Sequence, residues 1–431
     1  MEFETVDIGD RPEIMAIGDS LYNGVRSLTI KEDLAQGSPA AQVARGLGFA
    51  FNVPDYRRPI LFDLEEELRE GVDLDRIREN IIDNAERWLE ERGNWSGDSF
   101  FDNIAVAGFE FADLHKASAG TVRPKLPSIL AQLRADRGIN FNAIVELYMA
   151  LNTAFLLNPS GDPRLEDLTS MEWIASRKPK RLLINIGSNE GLFKIGLGGA
   201  VTREHLDGVK TIPALTEELA DVLATHCAEV EHIYFNLLIR PRVISNLAPR
   251  TDDEMFQITG EAYFRRYVGR LGSIGGISAE QMQRFDQTVK GVNDDCSQIL
   301  TNKLGDRVHL VDSYALADKF DGKHFGNTRK VEVQSEKRTL RLSNQPFSAN
   351  SLMGFRQGGL FSLDNLHLTR VGYSLLANEV GETVAKAEGI PFNPIDPQDS
   401  FEADTLITDP PRNVDRINLL ASLLAPFVMR G

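Results

Sequence analysis

The chain of 431 residues carries 63 acidic against 47 basic side chains, for a net charge of −16 and a pI near 5.0. That balance argues against a nucleic-acid partner, which requires clustered Lys and Arg, and against docking on anionic membranes by charge. A hydrophobic content of 42% and a charged content of 26% are those of an ordinary globular protein. A chain this long can bury a large core in one enlarged domain or two.

The acidic start, Met1-Glu2-Phe3-Glu4-Thr5, lacks an apolar stretch. No signal peptide is expected and a cytoplasmic location follows, or a secreted or periplasmic one if a leader was removed. Residues 14–17 form a short apolar run that reads as a first strand, followed by Gly18-Asp19-Ser20. Gly-Asp-Ser alone is a common turn, with Asp19 or Ser20 capping a helix. A serine at a strand-to-helix turn also sits at the positive end of the helix dipole, where an oxyanion is favoured. In 29–100, Leu64–Glu70 and residues 73–91 read as charged helices, and Glu65-Glu66-Glu67 as a solvated helix face rather than a cation site.

Residues 103–107 read as a second strand ending at Gly108, whose backbone N–H is bare of any side chain. The apolar stretch 144–157 is interrupted by Glu146, Asn152 and Thr153. It falls short of the ~20 residues of a membrane span and reads as a buried helix, so no stable membrane insertion is expected. A third strand, 181–186, leads into Gly187-Ser188-Asn189-Glu190, where Asn189 offers a side-chain amide. Gly196-Leu197-Gly198-Gly199 fits no phosphate-loop spacing. Leu215, Leu219, Val222, Leu223 and Val230 form an apolar stripe, with Thr211 expected as cap and Pro213 in the first turn. Fourth and fifth strands are expected at 232–239 and 308–311. Asp364-Asn365-Leu366-His367 then precedes a helix over 370–388 that stops at Gly389. Beyond it, a Pro-rich extension over 390–431 holds a short helix with Ile417, Leu420, Leu424 and Phe427 on one face.

Strands alternating with helices imply a parallel sheet with helices on both faces. Ligands bind such sheets beyond the carboxyl ends of the strands. Ser20, Gly108 and Asn189 follow the first, second and third strands, and His367 lies after the fifth. Six other histidines, His115, His205, His226, His232, His309 and His324, show no paired motif, and no Cys/His cluster suggests zinc. Cys227 reads as a buried thiol, Cys296 is given no role, and whether the two pair stays open.

Together the four blocks supply a nucleophile, oxyanion donors, a base and an acid three residues before it. The pattern resembles the SGNH (GDSL) hydrolase family. Ile14-Met15-Ala16-Ile17-Gly18-Asp19-Ser20-Leu21 is similar to its opening strand and GDSL block. Asp364-Asn365-Leu366-His367, followed by Thr369 and Gly372-Tyr373, is similar to its DxxH block. The third block departs from the family's GxND, with Glu190 in place of the aspartate.

The resemblance implies an α/β fold, a three-layer flavodoxin-like α/β/α sandwich with a mainly five-stranded parallel sheet. The hydrolase domain would span 12–389, enlarged by helical insertions near 29–100, 109–180, 248–303 and 329–358. It implies serine-dependent hydrolysis of a small-molecule or lipid-like ester. Ser20 is then the nucleophile, His367 the base and Asp364 its orienter, and the Ser20 and Gly108 N–H groups with the Asn189 amide form the oxyanion hole. No metal or organic cofactor is needed. Acyl transfer or thioester cleavage would use the same site, and a non-catalytic binding module would keep the fold without the chemistry.

Overall fold

The computed structural model describes residues 3, 5–71, 73–91, 93–97, 100–136, 140–249, 255–270, 276–336, 338–350, 354–412 and 414. At its centre is a four-stranded sheet of β1 (Ile14–Gly18), β2 (Arg181–Asn185), β3 (His232–Asn236) and β4 (Val308–Val311), in that spatial order and parallel throughout. Every residue of β1 and β2 is buried. This is why both read as continuous apolar runs rather than alternating ones.

The faces of the sheet divide into two cores. Ile14, Ala16, Leu183 and Tyr234 join a cluster with Ala40 and Val43 of helix α2 (Pro39–Leu47) and Leu376, Ala377 and Val380 of helix α8 (Arg370–Glu388). Met15, Ile17, Leu182, Ile184, Ile233 and Phe235 belong to the other cluster. That cluster includes Leu219 and Leu223 of helix α6 (Arg203–His226) and Val289 and Leu300 of helix α7 (Ala279–Leu304). The arrangement is compatible with a three-layer sandwich.

The sheet has four strands where five were expected. The segment 103–107 runs beside β1 with a single parallel bridge, Ala16 to Asn103. It exchanges ladder-like bonds there: Ala16 N–H donates to Asp102, Ile104 N–H to Ala16 and Val106 N–H to Gly18. The side chain of Asn103 is held locally, its Oδ1 accepting from Ala105 N–H at 3.3 Å and its Nδ2 donating to the Tyr22 carbonyl at 2.8 Å.

The insertions are not all helical. Those over 29–100 and 109–180 contain helix α3 (Leu74–Glu90), helix α4 (Phe141–Leu157) and helix α5 (Ser170–Arg177). The stretch 248–303 adds antiparallel ribbons before α7, and 329–358 contains two antiparallel ribbons, Val331–Gln334 with Thr339–Leu342 and Ser348–Asn350 with Gly354–Gln357. Residues 64–70 also differ from expectation. Glu65 and Glu67 are buried rather than solvated, Glu65 in a salt bridge with Arg26 at 2.8 Å and Glu67 with Arg76 at 3.0 Å. Both cysteines are buried and free. No helix among the described residues is long and apolar enough to cross a membrane. The helix expected around Ile417 to Phe427 lies outside the described residues.

Helix α6 begins earlier than its apolar stripe suggests. Thr202, not Thr211, caps it, its side chain accepting from His205 N–H at 3.2 Å, and Pro213 lies inside it. That proline cannot donate to the Val209 carbonyl one turn back. The added turns press against the third block. A Cβ on Gly208 would lie 2.1 Å from the Glu190 carbonyl oxygen, and one on Gly191 2.1 Å from that of His205. Ala normally stabilises a helix interior by about 1 kcal/mol over Gly. Gly208→Ala should instead lower Tm, whereas Gly291→Ala in α7, where a Cβ meets nothing within 4 Å, should raise Tm or leave it. Paired thermal melts check this; a Tm gain for Gly208→Ala would contradict the close approach.

Candidate active site

Ser20 opens a one-turn helix, α1 (Ser20–Asn23), directly after β1. Asp19 caps it, Oδ1 accepting from Leu21 N–H at 3.1 Å and from Asn185 Nδ2 at 2.7 Å. Gly18, at φ 128°, admits no side chain, because a Cβ would lie 1.8 Å from the Asn185 carbonyl oxygen. The β1 exit and the β2 exit are therefore in backbone contact beneath the serine. A polar row extends from there along the strand ends. Asn236 Nδ2 donates to Asn185 Oδ1 at 3.1 Å, and Tyr22 OH donates to Asn236 Oδ1 at 2.9 Å. Asn185 and Asn236 are the last residues of β2 and β3.

The fourth block reaches Ser20 from the far end of the chain. His367 Nε2 lies 2.9 Å from Ser20 Oγ, and His367 Nδ1 lies 2.8 Å from Asp364 Oδ2. With Nδ1–H donated to the carboxylate, Nε2 is the free acceptor facing the serine hydroxyl. Asp364 is fully buried. Burial alone would raise its carboxyl, but the adjacent His367 and the N–H groups of Leu366 and His367 hold it below the usual carboxylate range. Asn365 takes the left-handed conformation, φ 55°, that lets Asp364 Oδ1 accept both N–H groups at 2.9 Å.

A turn near the start of the chain completes the cradle. Leu28 N–H donates to Asp364 Oδ2 at 2.9 Å, and Ser27 N–H to Ser362 Oγ at 2.9 Å. Ser27 and Leu28 both have positive φ, 53° and 57°, unusual for residues other than Gly, Asn and Asp. Buried Arg26 anchors the turn to Glu65 and Asp404. Tyr373 OH donates to the Val25 carbonyl, tying α8 to the loop behind Ser20.

The second and third blocks meet on the opposite side. Gly108 has φ 88°, and a Cβ there would lie 3.1 Å from Met149 Sδ of α4. Asn189 Nδ2 donates to the Phe109 carbonyl at 2.8 Å, and Glu190 Oε1 accepts from Phe111 N–H at 2.6 Å. The glutamate standing where the family pattern has aspartate thus clamps the turn after Gly108. Burial pushes the Glu190 carboxyl up to about 8, and burial likewise pushes Asp19 up to about 6.

All five residues singled out from the sequence fall in one region: Ser20, Gly108, Asn189 and His367 line a single cavity of about 300 Å³, and Asp364 lies behind His367. A second cavity of about 110 Å³ also opens onto Ser20 and His367. The sequence reading missed Asn185, Asn236, Ser27, Leu28 and Ser362. A polar residue closing an apolar strand run was an available signal for the two asparagines; nothing local marked the other three. No group of three or more potential metal ligands occurs among the described residues. No family model matches the chain, and no curated protein or solved structure matches it.

Glu190 gives a pH prediction. Its folded-state value of about 8 lies above the ordinary 4.5. Stability from the protonated form is therefore full below about pH 4.5 and is lost as pH rises through about 8. Glu190→Gln, neutral throughout, should gain Tm over the wild type progressively across that window. A difference in Tm that does not change with pH would contradict it.

Proposed function

We propose that the chain is a serine-dependent carboxylic ester hydrolase of the SGNH (GDSL) type, its parallel sheet and flanking helices forming a three-layer flavodoxin-like core. The observation that carries this reading is the continuous relay Ser20 Oγ, His367 Nε2, His367 Nδ1, Asp364 Oδ2, with spacings of 2.9 and 2.8 Å, assembled from residues 347 positions apart.

Ser20 attacks the acyl carbon as His367 Nε2 takes its proton. Asp364 holds the imidazole in the tautomer this requires and stabilises the imidazolium that forms. The oxyanion receives the Ser20 and Gly108 backbone N–H groups and the Asn189 amide. One N–H of that amide bonds the Phe109 carbonyl, which fixes its orientation and leaves the second for the oxyanion. His367 then protonates the leaving alcohol, and water, activated by the same imidazole, cleaves the acyl-enzyme.

Two measurements check this. A fluorophosphonate probe should label the wild type at Ser20 and leave Ser20→Ala unlabelled; labelling that persists in Ser20→Ala would place the nucleophile elsewhere. Asn189→Ala should lower kcat by ~100- to 1,000-fold with little change in KM, since the amide binds charge that develops only in the transition state. A large rise in KM at unchanged kcat would make Asn189 a substrate-binding residue instead.

A further inference from the structure

We infer that the substrate is an ester with an apolar arm on each side of its carbonyl, one arm in each of the two cavities that meet at Ser20 and His367. The inference rests on the esterase reading above and adds the shape of the substrate to it.

The two cavities share only Ser20, Phe193 and His367 among their lining residues. The Phe193 ring, its centroid 5.6 Å from that of His367, is the wall between them. The larger is built by the insertions: Ile77 and Ile81 come from α3, and Ile144 and Val145 from α4. The smaller is built by the body of the fold, with Leu375 and Leu376 from α8 and Leu316 and Phe320 from the segment after β4. Each is lined mainly by aliphatic and aromatic side chains. The charged groups of the larger, Glu110, Asp113 and Lys194, gather near the turn after Gly108.

The position of the nucleophile decides between substrate shapes. A serine at the end of one tunnel fits an ester with one long arm and a short one. A serine where two separate apolar cavities join fits an ester inside a longer apolar chain. Each methylene buried in a cavity improves kcat/KM by roughly fourfold while room remains. An isomer that fills both cavities therefore outperforms one that places the same carbons on one side and overflows.

The test uses five straight-chain isomers in detergent micelles: ethyl tetradecanoate, butyl dodecanoate, octyl octanoate, dodecyl butanoate and tetradecyl acetate. Wild-type kcat/KM should be highest for one of the three inner isomers, by ~10-fold or more over both end isomers, since cavities of about 110 and 300 Å³ fit arms of unequal length. Leu375→Trp, filling the smaller cavity, and Ile81→Trp, filling the larger, should move the optimum toward opposite ends of the series. Folding of each variant is checked by circular dichroism, and if either fails to fold the wild-type profile decides. A flat profile, an optimum at one end, or no hydrolysis of any isomer, with Ser20 still labelled by fluorophosphonate, overturns this inference alone. Two folded filled-cavity variants that shift the optimum the same way do likewise. No hydrolysis together with an unlabelled Ser20 overturns the esterase reading and this inference with it.

Discussion

The buried carboxylate of Asp364 is the group on which the rest of the site depends. An ionised carboxylate without water is costly unless each oxygen is satisfied. Asp364 receives three backbone N–H groups, those of Leu28, Leu366 and His367, as well as the Ser362 hydroxyl and the His367 ring. Only the N–H of Leu28 comes from the first part of the chain, and obtaining it forces Ser27 and Leu28 into the left-handed region. Such conformations cost of order 1–3 kcal/mol each and persist where surrounding contacts over-determine them. Here the Arg26–Glu65 and Arg26–Asp404 ion pairs and the Ser27 hydrogen bonds to Glu65 and Ser362 do so. The same turn that completes the carboxylate's shell therefore ties the Ser20 loop to the His367 loop.

On the other side of Ser20 the constraint is backbone contact. Gly18 against Asn185, Gly191 against His205 and Gly208 against Glu190 are approaches that leave no room for a Cβ. They join the ends of β1 and β2 to the start of α6, and they set where Asn189 stands relative to Ser20. The cavities then arise from what is added around this rigid centre. The insertions bring α3 and α4 over Gly108 and Asn189, while α8 and the segment after β4 enclose the other flank.

Much of this was legible in the sequence, for identifiable reasons. Parallel strands buried on both faces read as short apolar runs, so β1 and β2 stand out, and the glycines of the blocks mark turns that need positive φ. The segment 103–107 has the same apolar character, but hydrophobic pattern does not count the bonds a segment makes to its neighbour, and a strand was expected where there is one bridge. The start of α6 was placed a few turns late because its first turns carry charged residues and a glycine, and a proline is ordinarily a start signal. Glu65 was read as solvated because its neighbours are charged; its partner Arg26 lies 39 residues before it, a distance that local patterns do not span. The strained turn at Ser27 and Leu28 carries no Gly, Asn or Asp to signal positive φ, since the shell of Asp364 and not local preference holds it.

The most direct measurement of the relay is a double-mutant cycle on the kcat of ester hydrolysis. If Ser20 and His367 form one proton-transfer unit, either substitution removes most of what the pair supplies. Ser20→Ala/His367→Ala should then be about as slow as either single variant, with a residual rate on the order of 10³-fold above uncatalysed hydrolysis from the oxyanion donors and binding. Losses that multiply in the double variant would mean that the two residues act independently, and the assignment of His367 as the base for Ser20 would fall.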